Sequence, residues 1–337
     1  MVRMTRLRRV SPRMAGWTRR RTGKGFTYLD EHGERLDPEQ VARVKELVIP
    51  PAWTDVWICP YPNGHLQAVG TDDAGRRQYL YHPVWRQKRD RAKFERVLAA
   101  AEKLAAARDT VAEDINLPGM PLSRADAVAF RLLDLGYFRI GNDAYADAHG
   151  SFGLTTLQRD HVHRRGDVMV FRFVGKSGIE HIVEIDDEDA IRALETMRRR
   201  RSPGERLMAY REDGRWRDLD STAVNRYLDD LFQGEITAKD FRTWHATVLA
   251  AAALARSEEP GRTAASRKRA VRAAVVEVAG YLGNTPTVAR SSYIDPRVID
   301  RYESGVTIDP DAADRQSEAA ARRASLEAQT IALLRDT

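Results

Sequence analysis

The pattern of apolar and polar positions changes character once along the chain. Up to about residue 83 the apolar positions come in short runs, at 26–28, 56–59, 65–69 and 78–81, separated by turns that carry Pro and Gly. Short alternating runs rich in Phe, Tyr, Trp, Val and Ile read as half-buried β-strands. In the last of them Tyr79 and Tyr81 fall on one strand face. After Trp85 the period lengthens. Phe94, Val97, Leu98, Ala101, Leu104 and Ala105 recur at helical spacing between charged residues, which predicts a helix over 87–108 and a boundary near residue 86.

Ser123 with Asp126 predicts a helix start ahead of Val128, Leu132 and Leu135, and Gly136 a stop, so that Arg139 falls just past a helix end. Two β-like runs, 168–174 and 179–185, flank Gly175, Lys176, Ser177 and Gly178 as a hairpin with a lysine at its tip. Thr237 with Asp240 caps a helix through Trp244, Val248 and Leu249 and puts Arg242 in its first turns. Val271, Ala274, Val275, Val278 and Leu282 mark another helix, and the stretch 312–335, rich in Ala, Arg and Glu, predicts a final, outlying one. The expected fold class is α+β: a basic arm over 1–24, a small β-rich domain over 25–86, a mostly helical domain with a β-hairpin over 87–306, and a helical tail over 307–337.

Composition narrows the class. With 42% hydrophobic and 31% charged residues, and no apolar run long enough to cross a bilayer, the chain is not expected to enter a membrane. The opening residues lack the apolar core of a secretory signal, so the expected location is the cytoplasm. Cys59 is the only cysteine, which excludes an internal disulfide and any cysteine-built zinc site. The net charge of +6 suits a polyanionic partner. Residues 1–24 sharpen this: Arg3, Arg6, Arg8, Arg9, Arg13, Arg19, Arg20, Arg21 and Lys24 occur there with no Asp or Glu.

Cleaving a phosphodiester needs an oxygen nucleophile, cations for the non-bridging oxygens and an acid for the departing sugar oxygen. Arginine suits the second task because its planar fork holds two oxygens and stays charged; lysine suits the third because it can give up a proton. Arg139, Arg242 and Lys176 are of the right kinds, and as residue types alone they do not single themselves out from the other basic residues.

Longer words do. FRIGN at 138–142 with GSFGLTTL at 150–157, FVGKSG at 173–178, KDFRTW at 239–244, LGNTP at 282–286 and ARSSYIDP at 289–296 occur in that order. Together with VIPPAW at 48–53 and RQYLYH at 77–82 they resemble the poxvirus and bacterial branch of the type IB DNA topoisomerases, over roughly residues 25 to 305. The resemblance implies that Tyr293 attacks the scissile phosphate and becomes joined to the 3′ end, that Lys176 is the general acid, and that Arg139 and Arg242 hold the non-bridging oxygens. Asn284 stands where poxvirus and eukaryotic relatives carry a histidine; an amide can donate a hydrogen bond but never carries charge. The resemblance also implies contacts to duplex DNA from Gln78, near base edges, and from Tyr79 and Tyr81, near the backbone, with buried core tyrosines as the competing explanation. It implies no metal, no nucleotide and no other cofactor, a helical domain related to the tyrosine recombinase catalytic fold, and a monomer clamped around DNA at the nucleoid.

Two rival functions compete. A tyrosine recombinase or integrase shares the chemistry, but recombinases place a histidine three residues before their second arginine, where this chain has Lys239, and begin with a helical rather than a β-rich domain. A non-catalytic architectural DNA-binding protein would have no use for the complete Arg, Lys, Arg and Tyr set. Gly175, Lys176 and Ser177 do not form a phosphate-binding P-loop, which needs a glycine where Val170 stands and a helix where a strand follows. His161, His163, His181 and His245 show no metal-ligand spacing and read as surface or structural residues, and His65 and His82 read as packing residues.

Overall fold

The computed structural model describes residues 6–23, 25–141, 143, 146, 150–234, 236–257 and 263–336. The chain divides into two compact units, Met1–Lys93 and Phe94–Thr337.

The first unit is an antiparallel sheet of β1 (Trp17–Thr22), β2 (Gly25–Leu29), β3 (Thr54–Ile58), β4 (Leu66–Thr71) and β5 (Arg77–Tyr81), in the order β2-β1-β3-β4-β5. Trp17, Val56, Ile58 and Ala68 pack with Leu36, Val44 and Ile49 from the helix α1 (Pro38–Glu46) and its flanks. Asp37 and Gln40 form a capping box that fixes where α1 starts, with bonds of 2.8 and 3.1 Å.

The arm expected over 1–24 is not separate from this sheet. β1 lies between β2 and β3, with Trp17 buried in the core. Arg19 donates to the carbonyls of Ile49, Pro50 and Trp53 at 3.1, 2.9 and 2.6 Å, so a basic residue that reads as a solvated charge ties two segments of the unit together. A strand with one buried apolar residue and several arginines carries too little alternation to be legible as one. Residues 1–5 and Lys24 of the expected arm lie outside the described residues.

Helix α2 (Pro83–Asp114) starts in the first unit, and its remainder belongs to the second. There it joins α3 (Leu122–Gly136), the sheet β6 (Val162–Arg165), β7 (Val168–Val174), β8 (Glu180–Ile185), α4 (Glu188–Arg198), the hairpin β9 (Ala209–Glu212) and β10 (Arg215–Asp218), and α5 (Ser221–Phe232). Then come α6 (Ala238–Ala255), α7 (Ala264–Leu282), α8 (Pro286–Ser292), α9 (Pro296–Glu303), α10 (Pro310–Asp314) and α11 (Ala319–Arg335). The architecture is α+β. α6 is buried on nearly every side, which its run of small apolar residues allows. No helix among the described residues is long and apolar enough to cross a membrane.

Two expectations change. The hairpin is a three-stranded sheet, because β6 pairs with β7 along Val162–Arg165. The expected outlying terminal helix is two helices, and α11 is built into the unit: Thr330, Leu333 and Leu334 are buried. Its inward contacts are partly ionic. Arg108 donates to Asp134 at 2.9 and 2.8 Å and to Glu327 at 2.6 and 2.8 Å, and Arg323 reaches Asp134 at 3.2 Å. A helix that buries charges against charges shows no apolar stripe, so its sequence reads as solvated.

Candidate active site

The residues singled out in the second unit stand where helices and strands end. α3 closes on Tyr137 in the left-handed conformation (φ 55°), which turns the chain sharply. Phe138 then anchors in the core, stacked on Phe173 at 5.7 Å between ring centroids, and Arg139 emerges next. Its carbonyl accepts from the Leu154 amide at 2.8 Å, and that of Ile140 from the Thr155 amide and hydroxyl at 2.8 and 2.9 Å. These contacts need the two segments to touch: a Cβ on Gly153 would fall 2.6 Å from Cα of Gly141. The words around 138–142 and 150–157 therefore serve one purpose, the clamping of the Arg139 backbone. Asn142 lies outside the described residues.

α6 starts at a capping box in which Asp240 accepts from the Thr237 amide and hydroxyl at 3.0 and 2.9 Å, and Arg96 pairs with Asp240 at 2.9 Å. Arg242, only 3% exposed, follows in the first turns. Its Nη1 donates to the Tyr137 carbonyl and its Nη2 to the Leu282 carbonyl at 2.6 Å. Arg139 Nη2 reaches the carbonyls of Leu282 and Gly283 at 3.5 and 3.1 Å and Oδ1 of Asn284 at 3.0 Å. Both guanidiniums thus converge on the carboxyl end of α7, where helix carbonyls are unpaired and the dipole is negative. Gly283, at φ 56°, is the left-handed residue that ends α7 and sends Asn284 back toward Arg139.

Two cations this close cost free energy unless an anion joins them. Burial, and then the charge of Arg139, pulls Arg242 down to about 10, against the opposing effect of the Tyr293 phenol. Burial likewise lowers Arg139. Both stay charged at neutral pH. Arg242 Nε and Asn284 Nδ2 are buried and have no partner among the described residues. Each such orphan donor costs about 1–3 kcal/mol. Two guanidiniums with spare donors beside them form a site that an oxyanion would complete.

Tyr293 caps the end of the short helix α8 and is half-buried, its ring centroid 5.6 Å from Cζ of Arg242. Thr247, further along α6 from Arg242, accepts from the Asp295 amide at 3.1 Å and lies 3.4 Å from the Tyr293 carbonyl. One helix therefore places both Arg242 and the backbone that carries Tyr293. Sequence reading passed over Thr247; its only signal is a polar residue inside the apolar run of α6.

Lys176 stands apart. It is exposed on the turn between β7 and β8, where Ser177 and Gly178 adopt φ of 67° and 73°, and it has no hydrogen bond or ion pair among the described residues. The structure brings Arg139, Arg242, Asn284 and Tyr293 together and shows no hydrogen bond or ion pair from Lys176 to them among the described residues. Arg139 and Arg242 also line a cavity of about 420 Å³ with His181, Tyr281, Glu180 and Glu184; Lys176, Asn284 and Tyr293 are not part of its lining. No group of three or more His, Cys, Asp and Glu among the described residues could hold a metal ion.

In the first unit, Tyr79 and Tyr81 on β5 are 47% and 40% exposed, with rings stacked at 6.2 Å between centroids. They are not core residues. Gln78, on the other face of the strand, donates to Asp72 at 2.8 Å.

Residues 82–317 match the model of the eukaryotic DNA topoisomerase I catalytic core, and residues 25–72 match that of the bacterial DNA topoisomerase IB N-terminal domain. The chain is 29% identical over 300 residues to DNA topoisomerase 1B of Acanthamoeba polyphaga mimivirus, covering 86% of this chain and 88% of that protein. It is 24% identical over 297 residues to DNA topoisomerase 1 of rabbit fibroma virus (82% and 89% covered) and 22% identical over 234 residues to DNA topoisomerase 1B of vaccinia virus (69% and 71% covered).

Proposed function

Because the chain belongs to the type IB DNA topoisomerases, and is an isomerase acting on DNA, we propose that it relaxes supercoiled duplex DNA by transient cleavage of one strand through Tyr293. The Tyr293 oxygen attacks the scissile phosphorus as its phenol proton passes to solvent water. A bond forms between phosphorus and the tyrosine oxygen, the bond to the 5′ oxygen breaks, and Lys176 gives that oxygen its proton. The products are a 3′-phosphotyrosyl linkage and a free 5′ hydroxyl. Attack by that hydroxyl reverses every step and restores the strand.

The observation that carries this reading is the buried Arg242 guanidinium beside the Tyr293 ring, with the half-buried Arg139 converging on the same helix end and orphan donors on Arg242 and Asn284 among the described residues. Arg139 and Arg242 take the charge of the non-bridging oxygens as it grows in the transition state, the work that other phosphoryl-transfer enzymes often give to a metal. The scheme calls on neither metal nor nucleotide. Torsion stored in the DNA drives swivelling about the intact strand.

The helical unit is read as a relative of the tyrosine recombinase catalytic fold, and the two units as a monomeric clamp that closes on duplex DNA in the cytoplasm, at the nucleoid. In the sheet unit, the exposure of Tyr79 and Tyr81 supports contacts to the DNA backbone; Gln78, on the other strand face, is read near base edges on the family resemblance alone. The test is plasmid relaxation in EDTA without ATP, beside a Tyr293→Phe variant. Relaxation by wild type alone is the expected result; relaxation by the variant, or none by wild type, overturns the reading.

A further inference from the structure

The ring of His181, on β8, fills the space left by two missing β-carbons. A Cβ on Gly175 would fall 2.5 Å from its Cδ2 and 2.7 Å from its Nε2, and one on Gly283 would fall 2.5 Å from its Cε1. Gly175 immediately precedes Lys176, and Gly283 immediately precedes Asn284. The ring is itself held flat against Phe173, at 5.4 Å between centroids and 22° between planes. The backbone at Gly175, φ −96° and ψ −164°, is open to any residue, so it is the room for the ring that calls for glycine there. At Gly283 the positive φ and the ring both call for it.

The Lys176 turn is held at its base, where Val174 pairs with Glu180 across β7 and β8 and the Val174 carbonyl accepts from the Phe152 amide at 2.8 Å. Above that base its backbone bonds are Gly175 to Ile179 at 2.8 Å and Gly178 to Gly175 at 3.2 Å, both internal to it. What the turn leans on therefore decides where the lysine stands relative to the Asn284 loop and the two arginines.

We propose that His181 is a positioning residue for the general-acid step, its ring acting as the spacer that sets the Lys176 turn against the Asn284 loop. The ring moves no proton in this role. Its Nε2 is buried without a hydrogen-bond partner among the described residues, on the edge covered by the two glycines. Burial first, and then the charges of Arg139 and Arg242, hold the imidazole below its ordinary range, which disfavours a third cation beside them. The proposal rests on the reading of Lys176 as the acid, and it predicts a defect confined to steps that need an acid.

Single-turnover cleavage separates the two ideas. A duplex carrying a cleavage site mapped on plasmid DNA is compared with the same duplex in which sulfur replaces the bridging 5′ oxygen at the scissile phosphate. A thiolate leaves without a proton. Lys176→Ala should slow cleavage of the oxygen substrate by 10²-fold or more, at about the lower end of what general acids contribute, and the sulfur substrate little. His181→Ala should show the same split, by about 10²-fold on oxygen, the scale expected when a catalytic group is misplaced by about 1 Å. Gly175→Ala, which drives a methyl into the ring, should reproduce it and guards against misfolding of the first variant. Equal slowing of both substrates by His181→Ala and Gly175→Ala, or slowing of neither, overturns the positioning role while leaving Lys176 as the acid. Equal slowing of both by Lys176→Ala overturns the acid itself, and the proposal with it.

Discussion

Cζ of Arg242 lies 5.6 Å from the centroid of the Tyr293 ring, while both of its Nη atoms are committed to backbone carbonyls, those of Tyr137 and Leu282. The arginine joins the end of α3, the end of α7 and the tyrosine in one contact set. Lysine cannot reproduce a planar fork with two fixed acceptors. Arg242→Lys is expected to lower the single-turnover cleavage rate by about 10²- to 10³-fold, as the loss of an oxyanion donor does elsewhere. DNA affinity, measured by filter binding at fixed salt, should change by less than about 10-fold, because most of it comes from phosphate contacts spread along the duplex.

Asn284 gives a prediction in pH. An amide carries no charge, so the cleavage rate of the wild-type protein should show no inflection near the histidine range of about 6.5. Asn284→His should introduce one, with cleavage slowing as pH rises through it and the added cation is lost. A wild-type inflection there would mean that a titrating group has been overlooked.

Much of this was legible in the sequence because chemistry and backbone geometry share the same words. The positions of Arg139 past a helix end and of Arg242 after the Thr237 capping box follow from local signals, and both are found where those signals put them; the short helix from Pro286 that carries Tyr293 reads as a loop in the sequence. The ring of His181 was not legible. Its meaning depends on two glycines distant in sequence, and a histidine with no ligand spacing reads as structural until the turn and the helix cap are seen to close on it. β1 and the docking of α11 were hidden for a related reason: Arg19 on β1 is tied to backbone carbonyls and Glu327 on α11 to Arg108, so periodicity of apolar residues carries no trace of these contacts.

Buried Glu327 anchors α11 to Arg108 with two hydrogen bonds of 2.6 and 2.8 Å. Removing one partner of a buried pair strands the other's charge, which costs about 3–5 kcal/mol, toward the lower end here because Arg108 keeps Asp134. Glu327→Ala is therefore expected to lower the urea midpoint by an amount equivalent to about 3 kcal/mol. An unchanged midpoint would show that α11 contributes little to the fold.

Two buried groups give opposing pH dependences of stability. Burial holds the His245 imidazole down to about 4 from 6.5, against the attraction of Asp134 and Glu327. Below 6.5 the unfolded chain takes a proton that the folded one refuses, so this group's effect is that stability falls as pH falls from 6.5 to 4. Burial, with the charges of Asp220 and Asp114 adding and Arg226 opposing, pushes Asp126 up to about 7 from 3.8. The folded protein keeps that proton where the unfolded one loses it, so stability falls as pH rises from 3.8 to 7. Each effect spans about 3–4 kcal/mol over its window. Relative to wild type, His245→Asn should lose stability as pH rises from about 4.5 to 6.5, and Asp126→Asn should gain it, as measured by urea unfolding at both pH values. Differences of the same sign for both variants would contradict these assignments.

The central claim is that Tyr293 becomes covalently joined to a 3′ phosphate. It is tested most directly by denaturing the protein during reaction with a duplex labelled alternately at either end of the cleaved strand, then sequencing the peptide that retains DNA. The account predicts that the fragment ending in a 3′ phosphate stays bound, through a peptide containing Tyr293, and that the other fragment is released with a free 5′ hydroxyl. Attachment through a 5′ phosphate, or through any residue other than Tyr293, would contradict it.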